Sequence, residues 1–134
     1  MILDRTTPPS IRPMGEMELS RPERRQMKNG IPLNIIRAGS QEVVRFDVLI
    51  GAGQWHQTQS LQAMFTNRML REGTQSLVSA QIAEKLDYYG AWLELSSSPN
   101  CGFITLYSLN KYFSHTLAII ADMLMNPTFP EKEL

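Results

Sequence analysis

With a single cysteine, Cys101, among 134 residues, the sequence has no partner for an internal disulfide and cannot build a multi-cysteine zinc site. That usage suits a reducing compartment. Histidine is almost as scarce, with His56 and His115 alone, and neither has a second histidine or a cysteine at ligand spacing. No charge of one sign dominates either. Thirteen basic side chains offset thirteen acidic ones, so no global field favours nucleic acid or an anionic membrane as partner. No stretch approaches the roughly 20 apolar residues of a membrane span. Met1 to Pro9 lacks the basic start and apolar run of a secretory signal, which makes cytoplasmic residence the default expectation. No internal repeat and no low-complexity segment is present.

What is present is the composition of an ordinary globular domain, 43% hydrophobic and 19% charged. Residues 1–30 are rich in proline and arginine and carry no sustained apolar period. They read as an extended arm, with the mixed-charge run Arg21 to Arg25 as a solvated connection. Regular structure is expected after the Asn29-Gly30 turn signal, across residues 31–134.

Leu33 to Arg37 suits a strand, and Val44, Phe46, Val48 and Ile50 alternate as a second strand, so the pair reads as an antiparallel hairpin. Helical spacing starts near Thr58, with Leu61, Met64, Phe65, Arg68 and Met69 on one face and Gly73 as the stop. A second helix runs from Ser79, its expected N-cap, to Tyr89, with Ile82, Ala83, Leu86 and Tyr89 as the apolar stripe and Gly90 at C′. Strands follow at Ala91 to Ser96 and Phe103 to Leu109. A last helix from Lys111 to Met125 sets Phe113, Leu117, Ile120, Ala121 and Leu124 on one side, and Asn126-Pro127 ends it. This order predicts an α+β fold, an antiparallel sheet with helices packed on one face.

Several blocks together resemble a known family. Gln62-Ala63-Met64-Phe65-Thr66-Asn67-Arg68-Met69-Leu70 with Gly73-Thr74 is similar to the motif helix of the insulinase/pitrilysin (M16, inverzincin) peptidases, Ala-His-Phe-Leu-Glu-His-Met-Leu followed by Gly-Thr. Ser79 to Leu86 with Tyr89-Gly90-Ala91 resembles that family's next helix and turn. Asp122-Met123-Leu124-Met125-Asn126-Pro127-Thr128-Phe129 resembles its Asp-Met-Leu-x-Asn-Pro-x-Phe ending, and Asn29-Gly30-Ile31-Pro32 its opening turn.

The resemblance implies an H-x-x-E-H helix in which two histidines four apart reach one zinc ion and the glutamate acts as general base, with a later glutamate as third protein ligand. Here those positions are Met64, Asn67 and Arg68. A thioether is not among the usual zinc ligands, an amide takes no proton from water near neutral pH, and a guanidinium stays cationic with no lone pair to offer. No metal ligand and no catalytic residue is therefore expected on this chain, and zinc is expected only in an active partner.

Substrate contact is left to two candidates, Glu94, on a strand near where the family binds substrate, and Arg68. The arginine is expected to pair with a carboxylate where the metal would be, or else with a carboxylate of a peptide or partner chain. Glu72 and Glu84 read as surface charges, Cys101 as a semi-buried thiol, and Met123 and Met125 as core packing rather than a copper site.

Family domains assemble in pairs around a chamber, one half active and one inactive. The resemblance thus implies a non-catalytic homologue, a peptide-binding or regulatory subunit paired with an active M16 peptidase or a second M16 domain. The alternative is a stand-alone peptide-binding or scaffold protein. An active zinc metalloendopeptidase with other ligands is disfavoured by the ligand chemistry. The tail Glu131 to Leu134 reads as the start of a helix cut short, so the chain is expected to be the first part of the domain, truncated on its C-terminal side with an unpaired sheet edge.

Overall fold

A computed structural model describes Thr6, Ile11, Gly15 and residues 19–134. The signal-peptide reading of residues 1–9, apart from Thr6, and much of the first 18 residues of the arm expected over residues 1–30 lie outside the described residues. The chain divides into two compact units, Met1–Ser40 and Gln41–Leu134.

In the first unit, strand β1 (Glu23–Gln26) pairs antiparallel with β2 (Pro32–Ile35), Glu23 opposite Ile35 and Gln26 opposite Pro32. Gly30 takes φ +86°, a left-handed conformation that its lack of a Cβ permits, and its N–H donates to the Met27 carbonyl at 2.9 Å. The Ile31 N–H donates to the Asn29 side chain at 3.2 Å. Two expectations are corrected here. The run Arg21 to Arg25 is not merely a connection, because its second half forms β1, where Arg25 pairs with Glu23 at 2.5 Å. Nor do the two predicted strands form a hairpin with each other. The Asn-Gly turn closes the nearer pairing, β1 with β2, and leaves the next strand for a distant partner.

That next strand, β3 (Val43–Ile50), belongs to the second unit. Helix α1 (Gln62–Met69), helix α2 (Ser79–Tyr88), strands β4 (Trp92–Ser97) and β5 (Gly102–Leu109) and helix α3 (Phe113–Met125) follow. The sheet order is β3-β5-β4, antiparallel throughout, with Phe46 opposite Leu106 and Leu93 also opposite Leu106. Period two sorts the strand residues. Ile104 and Leu106 join a core with Ile82, Leu86, Ile119, Ile120 and Met123, and Phe46, Val48, Leu93 and Leu95 pack against it. The helices thus cover one face, and the α+β expectation holds.

Local signals explain the helix ends. Gly90 (φ +61°) donates to the Asp87 carbonyl and Ala91 to the Leu86 carbonyl, both at 2.9 Å, which is the Schellman closure of α2. At its start the N-cap is Val78, not Ser79. The Val78 N–H is taken by the Gln81 side chain at 3.1 Å, while the Ser79 hydroxyl bonds Glu72 at 2.8 Å. Glu72 is accordingly half-buried and not a free surface charge.

Helix α1 departs most from expectation. It begins at Gln62 because the Gln62 side chain accepts both the N–H (2.9 Å) and the hydroxyl (3.1 Å) of Thr58, folding that segment back, and Leu61 sits at φ +69°. Its inward face carries Asn67, Met69 and Leu70, whereas Leu61, Phe65 and Arg68 are exposed. Periodicity alone assumes that apolar side chains face inward, and here an amide takes that place. In α3 the stripe shifts likewise: Thr116, Ile119, Ile120 and Met123 are buried and Ala121 is exposed. The expected truncated helix at the C-terminal tail is a 3-10 turn, Glu131–Glu133.

Candidate functional site

Helix α1 lies against β4 and β5, and along one side the stripe Ala63, Thr66, Asn67, Leu70 faces a cleft of about 380 Å³. Ile50, Gly102, Leu124, Pro127 and Phe129 supply most of the remaining apolar lining, and His56, Gln57 and Gln62 add polar groups.

One wall is a 3-10 turn, Gln54–His56, held by its backbone on the β4–β5 turn. Gly53 N donates to Asn100 O (3.2 Å), Gln54 N to Ser98 O (3.0 Å) and Trp55 N to Pro99 O (3.0 Å). That turn is itself closed by Ser98, whose N–H reaches the Cys101 carbonyl at 2.8 Å and whose hydroxyl accepts the Cys101 N–H at 3.0 Å. Cys101 is thus a half-buried turn residue, as expected from the sequence.

The opposite end of the cleft is built where two distant stretches meet. Thr74 pairs with Pro127 in an isolated bridge, Gln75 N donates to Asn126 O at 3.0 Å, and Thr128 N donates to Gly73 O at 3.1 Å. The Asp122 carboxylate accepts the Ser76 hydroxyl (2.6 Å) and the Asn126 amide (2.8 Å), and hydrogen bonds from Ser76, then Thr74 and Asn126, hold it below the ordinary aspartate range.

The three motif positions occupy different environments. Met64 is half-buried and, like Arg68, does not line the cleft. Asn67 is 7% exposed, and its side-chain amide donates to the carbonyls of Ser96 on β4 and, at 3.1 Å, Phe103 on β5. Arg68 is exposed and its guanidinium, among the described residues, makes no ion pair or hydrogen bond. The expected carboxylate partner within the described residues is therefore corrected, because the helix turns position 68 toward solvent. These side chains do not fit a zinc ion: one neutral thioether, one committed amide and one free cation provide no anionic or imidazole donor. No group of three or more His, Cys, Asp or Glu among the described residues is placed to hold a metal.

Glu94, the other candidate, forms no ion pair with Arg68. It lies on the sheet face turned away from the helices, in a row with Thr105 and Asp47. On that face Arg45 pairs with Asp47 at 2.9 Å and lies over the Tyr107 ring at 5.6 Å, and Thr105 donates to Asp47 at 2.7 Å. The hydrogen bond and charge of Asp47 raise the Arg45 pKa. Beside this row Trp92 stands 68% exposed. His115 is exposed and stacks on Tyr89 with ring centroids 5.2 Å apart. The sequence reading missed the cleft and the turn at Gln54–His56. The one available signal was Gly51-Ala52-Gly53, which marks a close backbone approach without naming its partner.

The sequence profile of the insulinase family (peptidase family M16) matches residues 35–134, and the chain belongs to that family. Among curated proteins, the chain is 27% identical over 109 residues to the uncharacterized zinc protease YmxG of Bacillus subtilis (strain 168), covering 80% of this chain and 27% of that protein. Among solved structures, it is similar to a peptidase M16 inactive domain from Pseudomonas fluorescens (TM-score 0.77, 21% identity, 84% of this chain and 28% of that one). A protease from Helicobacter pylori superposes with TM-score 0.76 at 18% identity, over 86% of this chain and 28% of that one. The chain therefore spans about a quarter of the length of these relatives, and the two structures support the M16 domain fold.

Proposed function

We propose that this chain is a non-catalytic M16 homologue that binds peptide or regulates, working beside an active M16 peptidase or a second M16 domain. The observation that carries the reading is the motif helix, where Met64 and Arg68 replace the two histidines that would hold zinc and Asn67 replaces the glutamate that would activate water. The likeness to a domain described as inactive supports it. Arg68, exposed and without a partner among the described residues, offers its guanidinium to a carboxylate of a peptide or of the partner chain. Glu94 is the second candidate contact, from the open sheet face. Zinc is assigned to the partner alone.

The test is purification from native cells with the companions identified by mass spectrometry, followed by peptide hydrolysis with and without this chain. A stoichiometric companion bearing H-x-x-E-H, whose hydrolysis rate depends on this chain, is the expected result. Near-stoichiometric zinc on the untagged chain, or hydrolysis by it alone, would overturn the proposal, and recovery without such a companion would favour a stand-alone binding module.

A further inference from the structure

We infer that Asn67 clamps α1 to the β4–β5 hairpin, so that restoring the H-x-x-E-H residues would break the fold locally instead of regaining a zinc ion. Ser96 and Phe103 are directly opposed residues of β4 and β5, and a single amide nitrogen donates to both of their carbonyls. A primary amide suits this task because its nitrogen carries two hydrogens, one for each strand. A carboxylate has none when ionised, and would set negative oxygens against two carbonyl oxygens in a buried place. The side chain also lies alongside Gly102, the neighbour of Phe103, where a Cβ would stand in ordinary contact, 3.9 Å from both Cγ and Nδ2 of Asn67.

The clamp grips the hairpin near its turn from the helix side, while Gly53, Gln54 and Trp55 bond the turn itself. Position 67 thus serves the fold with a role opposite to that of a general base: it donates hydrogen bonds to fixed carbonyls. The clamp itself stands on these hydrogen bonds, and only its opposition to zinc rests on the non-catalytic reading, that the native chain holds no zinc on this helix.

The native protein supplies the first readout. In an amide-detected NMR spectrum both side-chain protons of Asn67 are expected to exchange with water much more slowly than those of the exposed Asn100, and equal rates would overturn the inference. The second readout is urea denaturation of Asn67→Asp, Asn67→Ala and Met64→His/Arg68→His, with the triple variant Met64→His/Asn67→Glu/Arg68→His assayed for zinc by chelator competition. Asn67→Asp is expected to lower the folded-to-unfolded ratio about 10- to 100-fold at pH 7. Its defect shrinks toward pH 4, where a neutral acid can again donate one hydrogen bond. The Asn67→Ala defect does not change with pH, and Met64→His/Arg68→His folds like the native chain. A triple variant that matches native stability and binds zinc one to one sinks the clamp. Zinc on the native chain would instead sink the proposed function and leave the clamp standing, so the two failures are distinguishable.

Discussion

Replacing Gly53 with alanine tests how the cleft wall is fixed. Gly53 has φ −84° and ψ −172°, ordinary extended backbone, so alanine has no conformational objection there. The obstacle is space. A Cβ on Gly53 would lie 2.3 Å from Asn100 C, 2.4 Å from Cys101 N and 2.5 Å from Pro99 O, all of them backbone atoms. Nothing flexible can step aside, so the 53–55 segment has to lift from the β4–β5 turn. Lifting it loses the bonds from Gly53, Gln54 and Trp55 to Asn100, Ser98 and Pro99. At about 1 kcal/mol net for each bond, Gly53→Ala should cost about 2–4 kcal/mol. Gly51, two residues earlier, has nothing within 4 Å of its would-be Cβ, and Gly51→Ala should be nearly neutral. Urea denaturation of both variants, with hydrogen exchange at the Gln54 and Trp55 amides, is the assay. Gly53→Ala with the native midpoint and native protection would refute the argument.

Leu106 is fully buried between the sheet and the helices, so Leu106→Ala should lose about 2–5 kcal/mol in the same denaturation assay. Gly90→Ala meets open space but a φ of +61°, and about 1 kcal/mol of purely conformational cost is expected, read as a lower thermal midpoint. The depressed pKa of Asp122 contributes stability above the ordinary aspartate value of about 4, and that contribution is lost as pH falls through the lower folded value. Asp122→Asn should therefore be less stable than the native protein at pH 7, with the gap closing in acid; a gap that stays constant down to pH 2 would contradict this.

How far the sequence discloses this molecule differs by element. Strands β4 and β5, the glycine closure of α2 and the proline stop of α3 are written in local chemistry, and each emerged close to its expected place. The partner of β3 was not legible, because a period of two identifies a strand but says nothing about what lies beside it. β1 was missed because Glu23, Arg24, Arg25 and Gln26 are all exposed and carry no apolar signal. Along α1 the apolar stripe misled. Leu61 and Phe65 are 55% and 41% exposed, and the inward position belongs to Asn67, whose reward comes from two carbonyls distant in sequence. The three changed motif positions were legible as residue types, but their environments were not, since exposure and hydrogen bonding depend on how the helix is rotated.

The joint between the Gly73–Ser76 loop and the end of α3 has a consequence for how kinship is read in this family. It is made by Gly73, Thr74, Gln75 and Ser76 on one side and Asp122, Asn126, Pro127 and Thr128 on the other, and Met64, Asn67 and Arg68 take no part in it. A helix can exchange its metal chemistry for another task without disturbing that seam. Likeness at the seam therefore reports ancestry and architecture, whereas the capacity for hydrolysis is a separate inheritance, carried by a few side chains on a neighbouring helix.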